Sequence, residues 1–146
     1  MSTNPVHDDT TIICEGSASM SYKSSNGVFY NKVQVLNRDL SIQVLSLYSE
    51  IRKNEVKLKI EQKLLSNPDF LNNPASRDYF DNKLKGITIL DALAASALRS
   101  IRYLKEVPFV NKVIVNDIDL SAVNTARENM ERNQINHGMY FIIYHY

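Results

Sequence analysis

The stretch from Gly86 to Asp117, GITILDALAASALRSIRYLKEVPFVNKVIVND, limits the fold more than any other part of the chain. Ile87 to Leu90 is an unbroken run of apolar or β-branched residues that ends on Asp91. Small and aliphatic residues, Ala92 to Ala97, come next, and a helical stretch begins at Leu98. Lys112 to Asn116 is a second short apolar run, and it also stops on an acid, Asp117. Short runs of this kind read as buried strands. Strand, tight turn, helix and strand in that order predict an α/β fold with a parallel sheet. Many nucleotide-binding sheets begin this way.

The spacing carries chemistry. Asp117 lies 26 residues after Asp91. In doubly wound sheets an acid at the end of the second strand takes a hydrogen bond from a ribose hydroxyl, about 20 residues past a glycine turn. A cofactor with an adenosine end follows as an expectation. Glycine decides which one, because a pyrophosphate needs a backbone approach that a Cβ obstructs. The four glycines are Gly16, Gly27, Gly86 and Gly138, and none lies in the turn. That disfavours a dinucleotide and an NAD-type oxidoreductase. S-adenosylmethionine has a ribose and no phosphate, and fits. An ordinary βαβ turn with acids on its rim has the same pattern.

The rest of the chain adds detail. Residues 1–10 read as a polar tail, and no arginine marks them as a mitochondrial transit peptide. Ile12 to Cys14 and Ala18 to Tyr22 read as a hairpin about Glu15-Gly16-Ser17, and Asn26-Gly27 is a turn signal. Phe29 and Tyr30 either stack on an adenine or fill the core. Asn37 is a candidate N-cap, with Asp39 in the first turn. Leu40, Val44, Leu47, Tyr48 and Ile51 mark one face of the helix that follows. Arg38, at the mouth of that helix, is either a solvated arginine or a fork for a carboxylate.

Arg52 to Leu65 reads as helix from its lysines, glutamates and glutamines, with a turn-rich loop between Asn67-Pro68 and Asn73-Pro74. After the turn, Leu98, Ile101 and Leu104 form a helical stripe that Pro108 stops. Arg99 opens this helix, either against a cofactor or paired with Asp91 or Asp117, while Arg102 reads as structural. Ser121 is the expected cap of a helix with Ala122, Val123, Ala126 and Met130 inward, and Met139 to Tyr144 is a candidate third strand. His7, His137 and His145 have no ligand spacing, the single cysteine, Cys14, excludes a cysteine zinc site, and no metal is expected. No apolar run approaches the roughly 18 residues of a membrane span. The net charge of +1 is no footprint for nucleic acid by itself.

LDALAASALRSIRYLKEVP, followed by VIVNDIDLSAV, resembles the tRNA (guanine-26 N2) dimethyltransferase family. GVFYNKVQVLNRDLSI, from Gly27 to Ile42, resembles that family's N-terminal signature, as does Glu15-Gly16. Ala97 stands where the family usually has glycine, and Lys32 where it usually has proline. The resemblance implies the N-terminal part of a Rossmann-like class I methyltransferase sheet, preceded by a small hairpin and helical segment. Residues 11–84 are then the N-terminal segment, with a variable insert at about 52–83, and 85–146 start the cofactor-binding core.

The implied activity is methyl transfer from S-adenosylmethionine to the exocyclic N2 amine of a tRNA guanine, in the nucleus or cytoplasm. The implied cofactor-binding residues are Arg38, Arg99, Asp117, Asp91 and Phe29. A family member continues into an Asp-Pro-Phe type motif that grips the guanine and then into an RNA-binding domain. The chain has no Asp-Pro pair. The expectation is a truncated, donor-binding half that is inactive alone. The alternative is a non-catalytic remnant or interaction fragment that binds the cofactor weakly or not at all.

Overall fold

The computed structural model describes residues 10–23, 30–135 and 141–144, with the backbone alone for the last four. Phe29 and the Asn26-Gly27 turn lie outside the described residues, as does the N-terminal tail apart from Thr10. The chain begins with an antiparallel hairpin, β1 (Thr10–Glu15) and β2 (Ala18–Lys23). Glu15 pairs with Ala18, so the expected turn consists of Gly16 and Ser17. Gly16 has φ +55°, and a Cβ there would stand 2.3 Å from the Glu106 carboxylate and 2.8 Å from the Arg102 guanidinium. Glycine meets both demands without backbone strain and without displacing that ion pair.

A single helix of 32 residues follows, α1 (Val35–Ser66). It joins the two helical stretches that the sequence separates at Arg52. Asn31 caps a 3-10 turn at Lys32–Gln34 that leads into it, accepting from the Val33 N–H. Asn37 and Asp39 therefore sit inside the helix, not at its mouth. Asn73 accepts from Ala75 and Ser76 and caps α2 (Pro74–Leu84), a helix that the sequence reading did not anticipate.

The parallel sheet has the order β3 (Ile87–Asp91), β4 (Val110–Asn116), β5 (Phe141–Tyr144). The crossovers are α3 (Leu98–Glu106) and α4 (Leu120–Arg132). Asp119, not Ser121, caps α4, accepting from the Ser121 N–H. Ile89, Val113 and Val115 meet Leu98 and Ile101 of α3 and Ala126 and Met130 of α4 in one core, which Met20 of the hairpin completes. Strand β3 is buried on that face only: Ile89 and Asp91 are inside, while Leu90 is 62% exposed.

The apolar face of α1 is not its buried face. Its buried residues are Arg38, Ile42, Ser49 and Val56. Leu40, Val44, Leu47, Tyr48 and Ile51 are all exposed. Leu40 and Val44 rim an open groove beside Ile89 and Leu90. Apolar periodicity fixes which residues share a side of a helix, but not what lies against that side.

Candidate functional site

The turn after β3 is fastened to the end of β4. The Ala94 N–H donates to the Asn116 carbonyl at 3.0 Å, the Asn116 amide to the Ala92 carbonyl at 2.9 Å, and the Ala95 N–H to Asp117 Oδ2 at 2.8 Å. The adjacent residues Asn116 and Asp117 thus hold both limbs of the turn. Two of its residues lie in the left-handed region, Ala95 at φ +47° and Ala97 at φ +60°. The position flagged in the sequence, Ala97, is fully buried and is the first residue before α3. Ala95 carries no comparable signal in the sequence.

Each oxygen of Asp117 accepts one hydrogen bond, Oδ1 from the Asp119 N–H and Oδ2 from Ala95. An ionised carboxylate has about four acceptor sites, so room for a pair of hydroxyls remains. Leu93 and Ile118 flank this rim as exposed apolar side chains, 83% and 76% accessible.

Asp91 is buried behind the turn and accepts from the Ser100 hydroxyl at 2.6 Å. Burial pushes its carboxyl above the usual carboxylate range, against the pull of Ser100 and of the Arg99 charge. Arg99, half-buried in the first turn of α3, reaches across to the Ser41 hydroxyl of α1 at 3.1 Å. Ser41 lies one helical turn from Arg38.

Arg38 is only 7% exposed. Its Nε and Nη2 each donate to Glu15 at 2.6 Å, and Nη2 also donates to the Asn31 carbonyl at 3.1 Å. The Tyr30 ring lies 5.2 Å from its guanidinium carbon. The two N–H groups of Nη1 take part in none of these bonds.

Glu15 also accepts from Arg102 Nη1 at 2.8 Å and from the Tyr30 hydroxyl at 3.0 Å. Burial alone would raise the Glu15 carboxyl, but the hydrogen bonds from Arg38, Arg102 and Tyr30 hold it below the usual range. Arg102 in turn pairs with Asp39 at 2.7 Å and with Glu106 at 2.8 Å.

The structure therefore gathers the expected residues in two groups. Asp117, Asp91 and Arg99 surround the β3 turn, and Arg38 belongs to a buried ion cluster that ties the hairpin to α1 and α3. Arg99 and Ser41 connect the two. Glu15 and Asn116 were not singled out as site residues by the sequence reading. Glu15 stood in the Glu-Gly pair beside the hairpin turn, and Asn116 immediately precedes Asp117. A second cleft, of about 240 Å³ and lined by Ser49, Arg52, Lys83 and Thr88, opens at the far end of β3 and contains none of the expected residues. Among the described residues no cluster of His, Cys, Asp or Glu is placed to hold a metal ion. No helix among them is long and apolar enough to cross a membrane.

Comparison with known proteins agrees with this architecture. The N2,N2-dimethylguanosine tRNA methyltransferase family matches residues 8–144. A tRNA (guanine(26)-N(2))-dimethyltransferase of Schizosaccharomyces pombe is 34% identical over 142 residues, which cover 84% of this chain and 26% of the relative. The human protein of the same name is 32% identical over 87% of this chain and 23% of its own length. A solved structure of Trm1 from Pyrococcus horikoshii with S-adenosyl-L-methionine superposes with a TM-score of 0.55 at 25% identity, over 88% of this chain and 24% of that one. The chain spans about a quarter of the length of the relatives it matches. With a match that takes in nearly every residue, the chain belongs to the N2,N2-dimethylguanosine tRNA methyltransferase family.

Proposed function

We propose that the chain is the methyl-donor-binding part of a tRNA guanine-26 N2-methyltransferase. The observation that carries this reading is the position of Asp117, at the C-terminal end of β4 and bonded to the turn after β3 with acceptor sites to spare. Ligands of open α/β sheets bind at that end of the strands. The donor set fits S-adenosylmethionine. Asp117 takes the ribose hydroxyls, with Leu93 and Ile118 offering apolar surface to the base. Arg38 Nη1 and Arg99 address the carboxylate of the amino-acid end, and Asp91 acts through the turn and α3, which it holds by way of Ser100. The bound donor supplies an electrophilic sulfonium methyl. The chain's own residues orient it, and in such a displacement alignment of the reacting groups supplies much of the rate.

The guanine-gripping Asp-Pro motif of the family is absent from the 146 residues, and the net charge of +1 gives little attraction for tRNA. The chain by itself is therefore expected to bind the donor and to leave unmodified tRNA unmethylated. Calorimetric titration with S-adenosylmethionine tests the first point. Asp117→Ala should weaken binding by about 1.5–3 kcal/mol, the worth of a charge-assisted hydrogen bond. Unchanged affinity would remove the ribose role. Incubation with labelled donor and tRNA tests the second, where label on a guanine amine would mean that the acceptor machinery lies within these residues.

A further inference from the structure

We infer that Glu15 is a positioning residue of the donor site, which fixes the Arg38 guanidinium so that its Nη1 edge faces the ligand carboxylate. This rests on the donor-binding reading above. Glu15 is 7% exposed, and both its oxygens are occupied: Oε1 by Arg38 Nε and Arg102 Nη1, Oε2 by Arg38 Nη2 and the Tyr30 hydroxyl. Asn31 takes a further Nη2 hydrogen, and the Tyr30 ring lies against the guanidinium. One edge of Arg38 is thereby consumed, and the orientation of the other is set before a ligand arrives. Pre-organisation of this kind raises affinity by removing the ordering cost from the binding step.

Charge alone predicts the opposite effect. The cluster holds two cations, Arg38 and Arg102, and three anions, Glu15, Asp39 and Glu106, so the positive charge of Arg38 is compensated locally. If attraction between net charges governed binding, removing the Glu15 charge would strengthen the hold on a carboxylate. If orientation governs, removing it weakens that hold.

The hairpin has anchors besides Glu15. Ser17 is bound to Glu106 through its N–H at 2.9 Å and its hydroxyl at 3.0 Å, Ser21 is bound to Asn129 of α4, and Ser19 to Asn133 just past the end of that helix. Glu15→Gln can therefore be examined in a docked hairpin.

The experiment is calorimetric titration of the chain with S-adenosylmethionine and with 5′-methylthioadenosine, which lacks the amino-acid carboxylate. Wild-type chain that binds neither ligand refutes the donor-binding reading itself, and this inference with it, before any variant is made. With wild type binding, Glu15→Gln should lose about tenfold in affinity for S-adenosylmethionine and keep its affinity for methylthioadenosine. Tyr30→Phe, which retains the ring and removes one hydrogen bond to Glu15, should shift the same ratio in the same direction by two- to threefold, and it decides the matter should Glu15→Gln not fold. Equal losses on both ligands would make Glu15 merely structural. No change, or tighter binding of S-adenosylmethionine, would overturn the inference outright.

Discussion

The side-chain amide of Asn129 donates to the carbonyl oxygen of Ser96 at 3.1 Å, so α4 is stitched to the turn after β3. The same side chain takes the Ser21 N–H at 2.7 Å through its Oδ1. One turn later Asn133 does the equivalent for Ser19, accepting from its N–H at 3.0 Å and donating to its carbonyl. Asn129 of α4 and Asn133, the residue that caps its C-terminus, thus satisfy the outer edge of β2 as a neighbouring strand would. Asn129 is fully buried and Ser96 is buried, while Ser21 is half-buried. Asn129→Leu should cost about 2–4 kcal/mol, since the buried Ser96 carbonyl loses its partner at about 1–3 kcal/mol and the half-buried Ser21 N–H loses its own at about 1 kcal/mol. Denaturant unfolding measures this, and a loss under 1 kcal/mol would mean that the hairpin is not held there.

The two left-handed alanines predict stabilisation by glycine. An alanine in that region costs roughly 1–2 kcal/mol. Glycine removes the strain but returns about 0.4–1 kcal/mol through the freedom of the unfolded chain. Ala95→Gly, at an exposed position, should therefore gain about 0.5–1 kcal/mol, visible as a rise in Tm, while Ala97→Gly should gain less, because it gives up a buried methyl worth about 0.8 kcal/mol. Ala97→Val should lose stability, because β-branching is poorly tolerated at positive φ. Donor affinity should not fall in the glycine variants. A drop of several-fold would mean that the turn needs the alanine Cβ.

Acid should loosen the ion cluster. Glu15 and Glu106 are held below their ordinary value of 4.5: burial, which raises both, is outweighed by the hydrogen bonds from Arg38, Arg102 and Tyr30 to Glu15, and from Arg102 and Ser17 to Glu106. A depressed folded-state value contributes stability that is present above pH 4.5 and is lost as pH falls through the lowered values. Asp91 has the opposite sign. Burial raises it above 3.8, so it costs stability as pH rises through that range. In acid titrations followed by circular dichroism, Glu15→Gln should flatten the loss below pH 4.5. Asp91→Asn, which removes the opposing contribution, should steepen it. Identical profiles for wild type and Glu15→Gln would contradict the assignment.

The outward stripe on α1 gives the fourth prediction. Leu40→Gln and Leu47→Gln replace side chains that are 53% and 61% exposed and should stay within about 0.5 kcal/mol of wild type. Ile42→Ala, on the buried line of the same helix, should cost about 2–5 kcal/mol. Thermal unfolding of the three variants separates the faces, and a large loss at Leu40 would place that residue in the core.

Much of this architecture is readable from local signals. The acid-ended strands, the hairpin about Gly16 and the inward face of α4 all follow from runs and turns of a few residues. The helix starts were less legible. Asn37 and Ser121 are good capping residues, but Asn31 and Asp119, a few positions earlier, do the capping because the chain turns there. The buried face of α1 is not legible, because its apolar stripe and its buried line differ by half a turn and only tertiary packing chooses between them. The contacts that assemble the site lie beyond any local pattern. Glu15 meets Arg102 at a separation of 87 residues, and Ser21 meets Asn129 at 108. A buried polar residue such as Asn129, placed among Ala126 and Met130, is the kind of signal that would have pointed to them.

The length of α1 has a mechanical consequence. Its last buried residue is Val56, and the ten residues from Lys57 to Ser66 extend past the core. From Arg38 to Ser66 the helix covers about 42 Å at 1.5 Å per residue. Ile42, Ser49 and Val56 pin it beyond Arg38, so only the stretch after Val56 can act as an arm. That arm is about 15 Å long at 1.5 Å per residue, and a bend of about 5° just past Val56 would carry the Ser66 end through roughly 1.3 Å.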